Sequence, residues 1–268
     1  MLITVVTPTL NGIRYLHDCI ESVRNQESPN VQVEHIVVDG GSTDGTVEFA
    51  KGRGCTVITG KDDGIFDAIN KGSFSANGEL LGVVGSDDML LPGALDAVAR
   101  HYRRDGCRWL VGGGRWLDGE GTPRGEIAAP PTWITVPMLG SLGWMYFQHD
   151  ATYVHRYLFE ELGGYDKRFK YFGDYDFILR ALEREPFSRI HQILCSCRRH
   201  GANASMQQTP VHSAETKEIM RRYAPSSPWK EAMYRYLLKF WINGTNPGWF
   251  VRKRVDSFRA RSVLSTSR

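Results

Sequence analysis

Two adjacent carboxylates, Asp87 and Asp88, follow the apolar run Leu80-Leu81-Gly82-Val83-Val84-Gly85. Such a run reads as a buried strand, and paired carboxylates at its end are costly to bury alone. Hard divalent ions take oxygen ligands, so the pair suits a metal with a phosphate over it. Three further clusters share this character: Thr7-Pro8-Thr9-Leu10-Asn11, Asp39-Gly40-Gly41-Ser42-Thr43-Asp44-Gly45 and Gly173-Asp174-Tyr175-Asp176. Four acidic or turn-rich clusters at strand or loop ends point to a nucleotide-dependent enzyme.

The elements that must position these groups alternate in type. Residues 3–6, 33–38, 55–59 and 79–84 read as strands, and 46–52 and 66–76 as helices. Residues 13–26 carry apolar side chains at 13, 16, 20 and 23, which is helical spacing. Alternation at this pace predicts βαβ units and a parallel sheet, whose ligands bind outside the carboxyl ends of the strands. The polar clusters fall at that edge and are therefore read as one site. From 106 to 144 the pattern loosens into Gly, Pro and Trp, which predicts two or three strands and a loop over the ligand. Residues 149–156 form a compact polar-aromatic element, and 158–162 a short helix ended by Gly163-Gly164. A helix over 176–185 closes at Pro186, a last strand covers 190–197, and helix follows Thr209.

Hydrophobic residues at 41% of 268 suffice for one large domain or two small ones. The five cysteines are odd in number and scattered, which argues against a disulfide framework. Cys195 and Cys197 are read as pointing to opposite faces of one strand, so no zinc site is expected. Reduced thiols and the lack of a basic leader predict a cytoplasmic location. No stretch approaches the roughly 20 apolar residues of a spanning helix. The net charge of +3 hides an asymmetry: residues 217–268 hold twelve Lys or Arg against three acids, a local +9 that leaves −6 elsewhere.

Taken in order, Thr7 to Asn11, Val38 to Thr46, Asp63-Gly64-Ile65-Phe66-Asp67-Ala68-Ile69-Asn70-Lys71-Gly72, Ser86-Asp87-Asp88 and Asp174-Tyr175-Asp176 resemble the family 2 inverting glycosyltransferases of GT-A fold. The resemblance covers roughly residues 2–205. It implies an α/β, Rossmann-like, mostly parallel sheet flanked by helices, a nucleoside-diphosphate-sugar donor, and Mg2+ or Mn2+. The activity it implies is inverting transfer to a glycan or lipid-linked acceptor in cell-surface polysaccharide or glycolipid assembly. The chain then divides into a catalytic domain at 1–208 and a helical basic extension at 209–268.

By the same resemblance, Asp88 ligates the metal, and Asp87 shares it or faces the ribose. Pro8, Thr9 and Asn11 lie on the donor side. Asp39 sits near the nucleobase, but Gly40 replaces a second Asp common in the family, so UDP, GDP and dTDP all stay open. Asp63, Asp67, Asn70 and Lys71 lie beside the nucleotide. Asp174 is the general base, with Gly173 where the family often has an acid. His149, Arg198 and His200 fall on the acceptor or donor-sugar side, with Arg198 suited to a diphosphate. Plainer readings stand beside these: helix caps for Asp88 and Asp174, a turn residue at Asp39, a solvated Lys71 and a packed His149.

Over 229–249, Trp229, Met233, Tyr236, Leu237, Phe240 and Trp241 recur at spacings of three and four, with Arg235 and Lys239 opposite. Basic runs at 252–254 and 259–261 follow. Such a helix suits an anionic membrane interface, peripheral on the inner face of the cell membrane; a helix packed on the catalytic domain with a solvated basic face is the alternative. Two rival functions are a metal-dependent nucleotidyltransferase and a non-catalytic nucleotide-sugar-binding homologue. The first wants a basic Gly-rich phosphate loop that residues 7–12 do not offer. Intact Asp87, Asp88 and Asp174 argue against the second. Nucleic acid is not an expected partner.

Overall fold

The computed structural model describes residues 1–201 and 210–247. In the first half β1 (Leu2–Thr9), α1 (Ile13–Arg24), β2 (Gln32–Asp39), α2 (Thr46–Gly52), β3 (Thr56–Thr59), α3 (Ile65–Phe74) and β4 (Leu80–Val83) alternate as the periodicity predicts. The strands are parallel in the order β3-β2-β1-β4. β1 is buried along nearly its whole length, which is why it reads as a continuous apolar run. α1 buries Leu16, Cys19, Ile20 and Val23, one stripe of its surface. α3 lies close on the sheet because Gly72 has no side chain: a Cβ there would come within 2.5 Å of Val6 and 2.9 Å of Val38.

The second half departs from a plain parallel sheet. After β4 come β5 (Met89–Leu90), α4 (Ala94–Asp105), β6 (Trp109–Leu117), β7 (Pro123–Ile127), α5 (Val136–Gly140), a 3₁₀ turn at His149–Ala151, β8 (Thr152–His155), α6 (Arg156–Glu161), α7 (Gly173–Arg184) and β9 (Ser188–Arg198). The sheet continues β4-β8-β6-β9-β5, with β7 on β6. β8 runs antiparallel to β4 and β6, and β5 antiparallel to β9. Sequence reasoning misses α4, which buries Ala94, Leu95, Ala97, Val98 and Ala99 and turns Arg100, Arg103 and Arg104 to solvent. The pairing of β5 with β9 matters most for the site. It carries Asp87 and Asp88 from the end of β4 across to the carboxyl end of β9.

Two further helices, α8 (Pro210–Tyr223) and α9 (Pro228–Thr245), complete the described chain. A division at residue 208 would set them apart, yet Ile219, Leu238 and Ile242 join the main core with Trp109, Phe147, Tyr175 and Phe177. Glu215 accepts hydrogen bonds from the backbone N–H groups of Lys170, Tyr171 and Phe172, and the Ala128 N–H donates to Asn246. The opposite side of α9 leaves Trp229, Met233, Tyr236, Leu237 and Phe240 exposed. Trp241, placed on that stripe by its spacing, instead turns inward, edge-on to Tyr146 and Trp133. No helix among the described residues is long and apolar enough to cross a membrane.

The two sides of α9 make separable predictions. Leu238→Ala, at a fully buried position, should destabilise the protein by about 2–5 kcal/mol in urea unfolding. Phe240→Ala, at an 83% exposed position, should stay within about 0.5 kcal/mol of the parent. Equal effects would show that α9 is not docked as described.

Candidate active site

Thr9 and Asp39 are register partners at the carboxyl ends of β1 and β2, beside Pro8 opposite Val38. Asp39 is 1% exposed, and its Oδ2 accepts the N–H groups of Gly41 and Ser42, both at 2.9 Å. Its Oδ1 and the Oγ1 of Thr9 are buried with no hydrogen-bond partner in the protein. A buried acceptor left unpaired is expensive, so this pair marks a place where a ligand belongs. Asn11 holds the cleft wall with a left-handed backbone (φ 51°). Its N–H donates to Ser42 and its side chain accepts from Thr43 N–H, while Asp44 accepts from the Ile13 N–H. The loops after β1 and β2 are thereby tied to each other.

Asp87 and Asp88 lie where the parallel and mixed halves of the sheet meet. Gly85 lets them fold back: a Cβ there would stand 2.8 Å from Asp88 Oδ2 and 3.0 Å from Asp87 Oδ1. The Arg198 N–H donates to Asp88 Oδ1 at 2.6 Å, and its Nε reaches the Asp87 carbonyl. His200 Nε2 is 2.8 Å from Asp87 Oδ2, and its ring stacks on Tyr15. Arg198 also lies over the Tyr15 ring and pairs with Asp18. Arg198 and His200 therefore stand against the carboxylate pair, a position compatible with the donor-sugar and diphosphate side of the expectation. Burial, with the carboxylates of Asp150 and Asp87 close by, pushes the Asp88 carboxyl well above its ordinary range. An oxygen-rich set of like charges that crowd one another fits a hard divalent cation, and Asp87 and Asp88 are the groups that could hold it.

The groups from α3 are partnered within the protein. Asp67 pairs with Lys167 at 2.9 Å and Lys71 at 3.0 Å; Lys167, the Asp63 N–H and Lys71 together hold its carboxyl well below the usual range. Lys71 also pairs with Asp62. Both ends of the Asn70 amide bond the backbone of Tyr165, at 2.8 Å each. These residues clamp α3 to the segment before α7, and only Asp63 is exposed beside the cleft.

Asp174 opens α7 and accepts the Tyr175 N–H at 2.8 Å. It keeps a rim of accessible surface, but packing on its other sides pushes its carboxyl up, and the facing His149 imidazole pulls the other way. His149 is held by Tyr165, Nε2 to hydroxyl at 2.8 Å. Asp176 is structural instead: Arg180 and the Tyr223 hydroxyl hold it, which fastens α8 to α7.

Sequence reasoning misses Asp150, Tyr15 and Tyr165. Asp150 follows His149 directly, and that adjacency was the available signal. It also misplaces the thiols. Side chains two apart on a strand share a face, and Cys195 and Cys197 do so with their sulfurs 3.8 Å apart, Cys197 lying 3.1 Å from Asp150. The expectation of opposite faces, and its argument against a metal there, is overturned.

A Rossmann-like parallel half joined to a mixed half, with carboxylates at the junction, is the GT-A architecture. Solved GT-A structures match it. TarS of S. aureus in complex with UDP-GlcNAc superposes with a TM-score of 0.66 over 88% of this chain and 70% of that one, at 18% identity. The mannosyltransferase PcManGT of Pyrobaculum calidifontis, in complex with GDP-Man and Mn2+, gives 0.57 over 99% and 79%, at 17% identity. The family model for glycosyl transferase family 2 matches residues 4–163, and the chain belongs to that family. Among curated relatives, a PGL/p-HBAD biosynthesis glycosyltransferase of Mycobacterium bovis is 28% identical over 97% of this chain and 98% of its own length. An uncharacterized glycosyltransferase of Mycobacterium tuberculosis is 30% identical over 82% and 85%.

The crowded carboxylates set a pH dependence. The folded protein keeps a proton on Asp88 that the unfolded chain has lost, so the stabilisation is complete below the ordinary Asp range and disappears as pH rises through the raised folded value. Asp88→Asn should therefore raise the metal-free melting temperature at neutral pH, by about 2–4 °C for each kcal/mol relieved. The same variant should abolish any gain in melting temperature from Mn2+. An unchanged or lower melting temperature, with the Mn2+ response intact, would contradict this assignment.

Proposed function

We propose that the protein transfers a sugar, with inversion, from a nucleoside-diphosphate donor to an acceptor hydroxyl. The unpartnered Asp39 Oδ1, buried at the carboxyl end of β2, is the observation that carries the donor reading. A carboxylate oxygen there accepts a ring N–H of a base. Uracil, thymine and guanine present one on their pairing edge, whereas cytosine and adenine present a ring acceptor. UDP, dTDP and GDP sugars are thus the donor class, and Thr9 and Asp63 stand beside the same cleft. A divalent ion held by Asp87 and Asp88 would supply Lewis-acid neutralisation of the leaving diphosphate. The solved relatives in complex with UDP-GlcNAc, and with GDP-Man and Mn2+, support this reading.

Asp174 takes the acceptor proton. Its raised pKa strengthens it as a base, and the His149–Tyr165 pair fixes the groups that face it. Asp174→Asn should leave nucleotide affinity unchanged and cut transfer by at least about 10²-fold. In the parent, kcat/KM should fall on the acid side at a pH above the ordinary Asp range. A variant with near-normal turnover would assign the proton to another residue. A thermal-shift comparison with Mn2+ tests the donor class: UDP, dTDP or GDP should raise the melting temperature more than CDP or ADP, and equal shifts would refute the Asp39 argument.

The acceptor we propose is a glycan or lipid-linked molecule at an anionic membrane surface. Five large apolar or aromatic side chains exposed along one face of α9 are unusual for a protein surrounded by water, and they lie within the part of the sequence that carries +9. The protein should sediment with vesicles containing anionic lipid and much less with neutral ones, and high salt should weaken the association. Tyr236→Ser with Phe240→Ser, both at exposed positions, should release it without unfolding it. Binding indifferent to lipid charge or to these substitutions would remove the proposal.

A further inference from the structure

A second cluster of ligating groups lies beside the carboxylate pair, sharing Asp150 with its surroundings. β9 ends in Cys195-Ser196-Cys197, with both thiols on one face, and Asp150 projects toward them from the turn before β8. The sulfurs are 3.8 Å apart, the Asp150 carboxylate is 3.1 Å from Cys197, and the three ligand atoms lie within 4.8 Å of one another. We propose that Asp150, Cys195 and Cys197 form a site for one thiophilic divalent cation of the zinc class, distinct from the ion proposed for Asp87 and Asp88.

The spacing is the main argument. Tetrahedral zinc holds each thiolate at about 2.3 Å, which sets two sulfurs about 3.8 Å apart along one edge of the tetrahedron. The cysteines already stand at that separation, so the thiol pair needs almost no rearrangement. A disulfide would require the sulfurs to close to about 2.05 Å. The strand backbone resists this, because residues two apart along it are about 6.6 Å from Cα to Cα, near the limit a disulfide can span. The donor set also selects the ion. Thiolates favour zinc-class ions, while Mn2+ and Mg2+ prefer the all-oxygen side at Asp87 and Asp88. Cys195 is fully buried and Cys197 is 9% exposed, whereas Asp150 is half-buried, so the site opens toward the cleft through its carboxylate. Gln148, with Oε1 4.0 Å from Cys197, could supply a fourth donor.

The test uses the full chain and the metal alone. With the parent protein, one equivalent of Cd2+ should produce the ultraviolet thiolate-to-cadmium charge-transfer band, and Zn2+ should compete it away. Cys195→Ser with Cys197→Ser should remove the band. Cys55→Ser with Cys107→Ser, and Asp88→Asn, should keep it, while Asp150→Asn should weaken cadmium affinity by about 10-fold or more. X-ray absorption of the zinc-loaded parent needs no variant and should show two sulfur neighbours at about 2.3 Å. A first shell of only nitrogen and oxygen, no cadmium band in the parent, or a band that survives loss of Cys195 and Cys197, would each overturn the proposal. None of these readouts depends on Asp174 or on sugar transfer.

Discussion

The site depends on one electrostatic constraint: three carboxylates, Asp87, Asp88 and Asp150, are crowded where the two halves of the sheet meet. Like charges so placed cannot all ionise cheaply, and burial makes it worse. The surroundings answer with fixed donors. The Arg198 N–H bonds Asp88, His200 reaches Asp87, and the Arg198 side chain lies across Tyr15 toward Asp18. The short pairing of β5 with β9 exists in the right place to make these contacts, since it draws 87–88 onto the end of β9. A cation is the natural counterpart to what charge is left, and the raised Asp88 pKa is the sign that the protein's own donors do not suffice.

Around this centre the two halves divide the labour. The parallel half ends in a cleft whose walls are cross-tied by Asn11, Ser42 and Asp44 and whose floor has unpaired oxygens at Thr9 and Asp39. The mixed half places Asp174 at the start of α7 facing His149 before β8, where we propose the acceptor enters. α8 and α9 brace that side from behind through Glu215, Ile219, Leu238 and Ile242. The basic runs at 252–254 and 259–261 lie outside the described residues and follow in sequence the helix that offers an apolar stripe to the outside.

The first half was legible because its elements are strongly patterned and its polar clusters sit at strand ends, where a parallel sheet must bind its ligands. Asp39, Asp87 and Asp88 lie at such strand ends, whereas Asp174 opens α7 in the other half. The antiparallel strands were not legible, because strand direction depends on pairing partners far away in sequence. Asp67, Asn70 and Lys71 show the limit of motif reasoning: types suited to nucleotide contact are taken up in ion pairs and an amide clamp. The placement of Arg198 and His200 depended on β5 meeting β9, which no local pattern announces. The thiol pair was a failure of geometry rather than of information, since spacing two on a strand fixes a shared face.

The most direct measurement is diffraction from crystals soaked with Mn2+ and UDP or GDP, with data collected at the manganese absorption edge. The account predicts an anomalous peak against the carboxylates of Asp87 and Asp88, and a base whose ring N–H lies on Asp39 Oδ1. Manganese seated elsewhere, or a base bound away from Asp39, would contradict it.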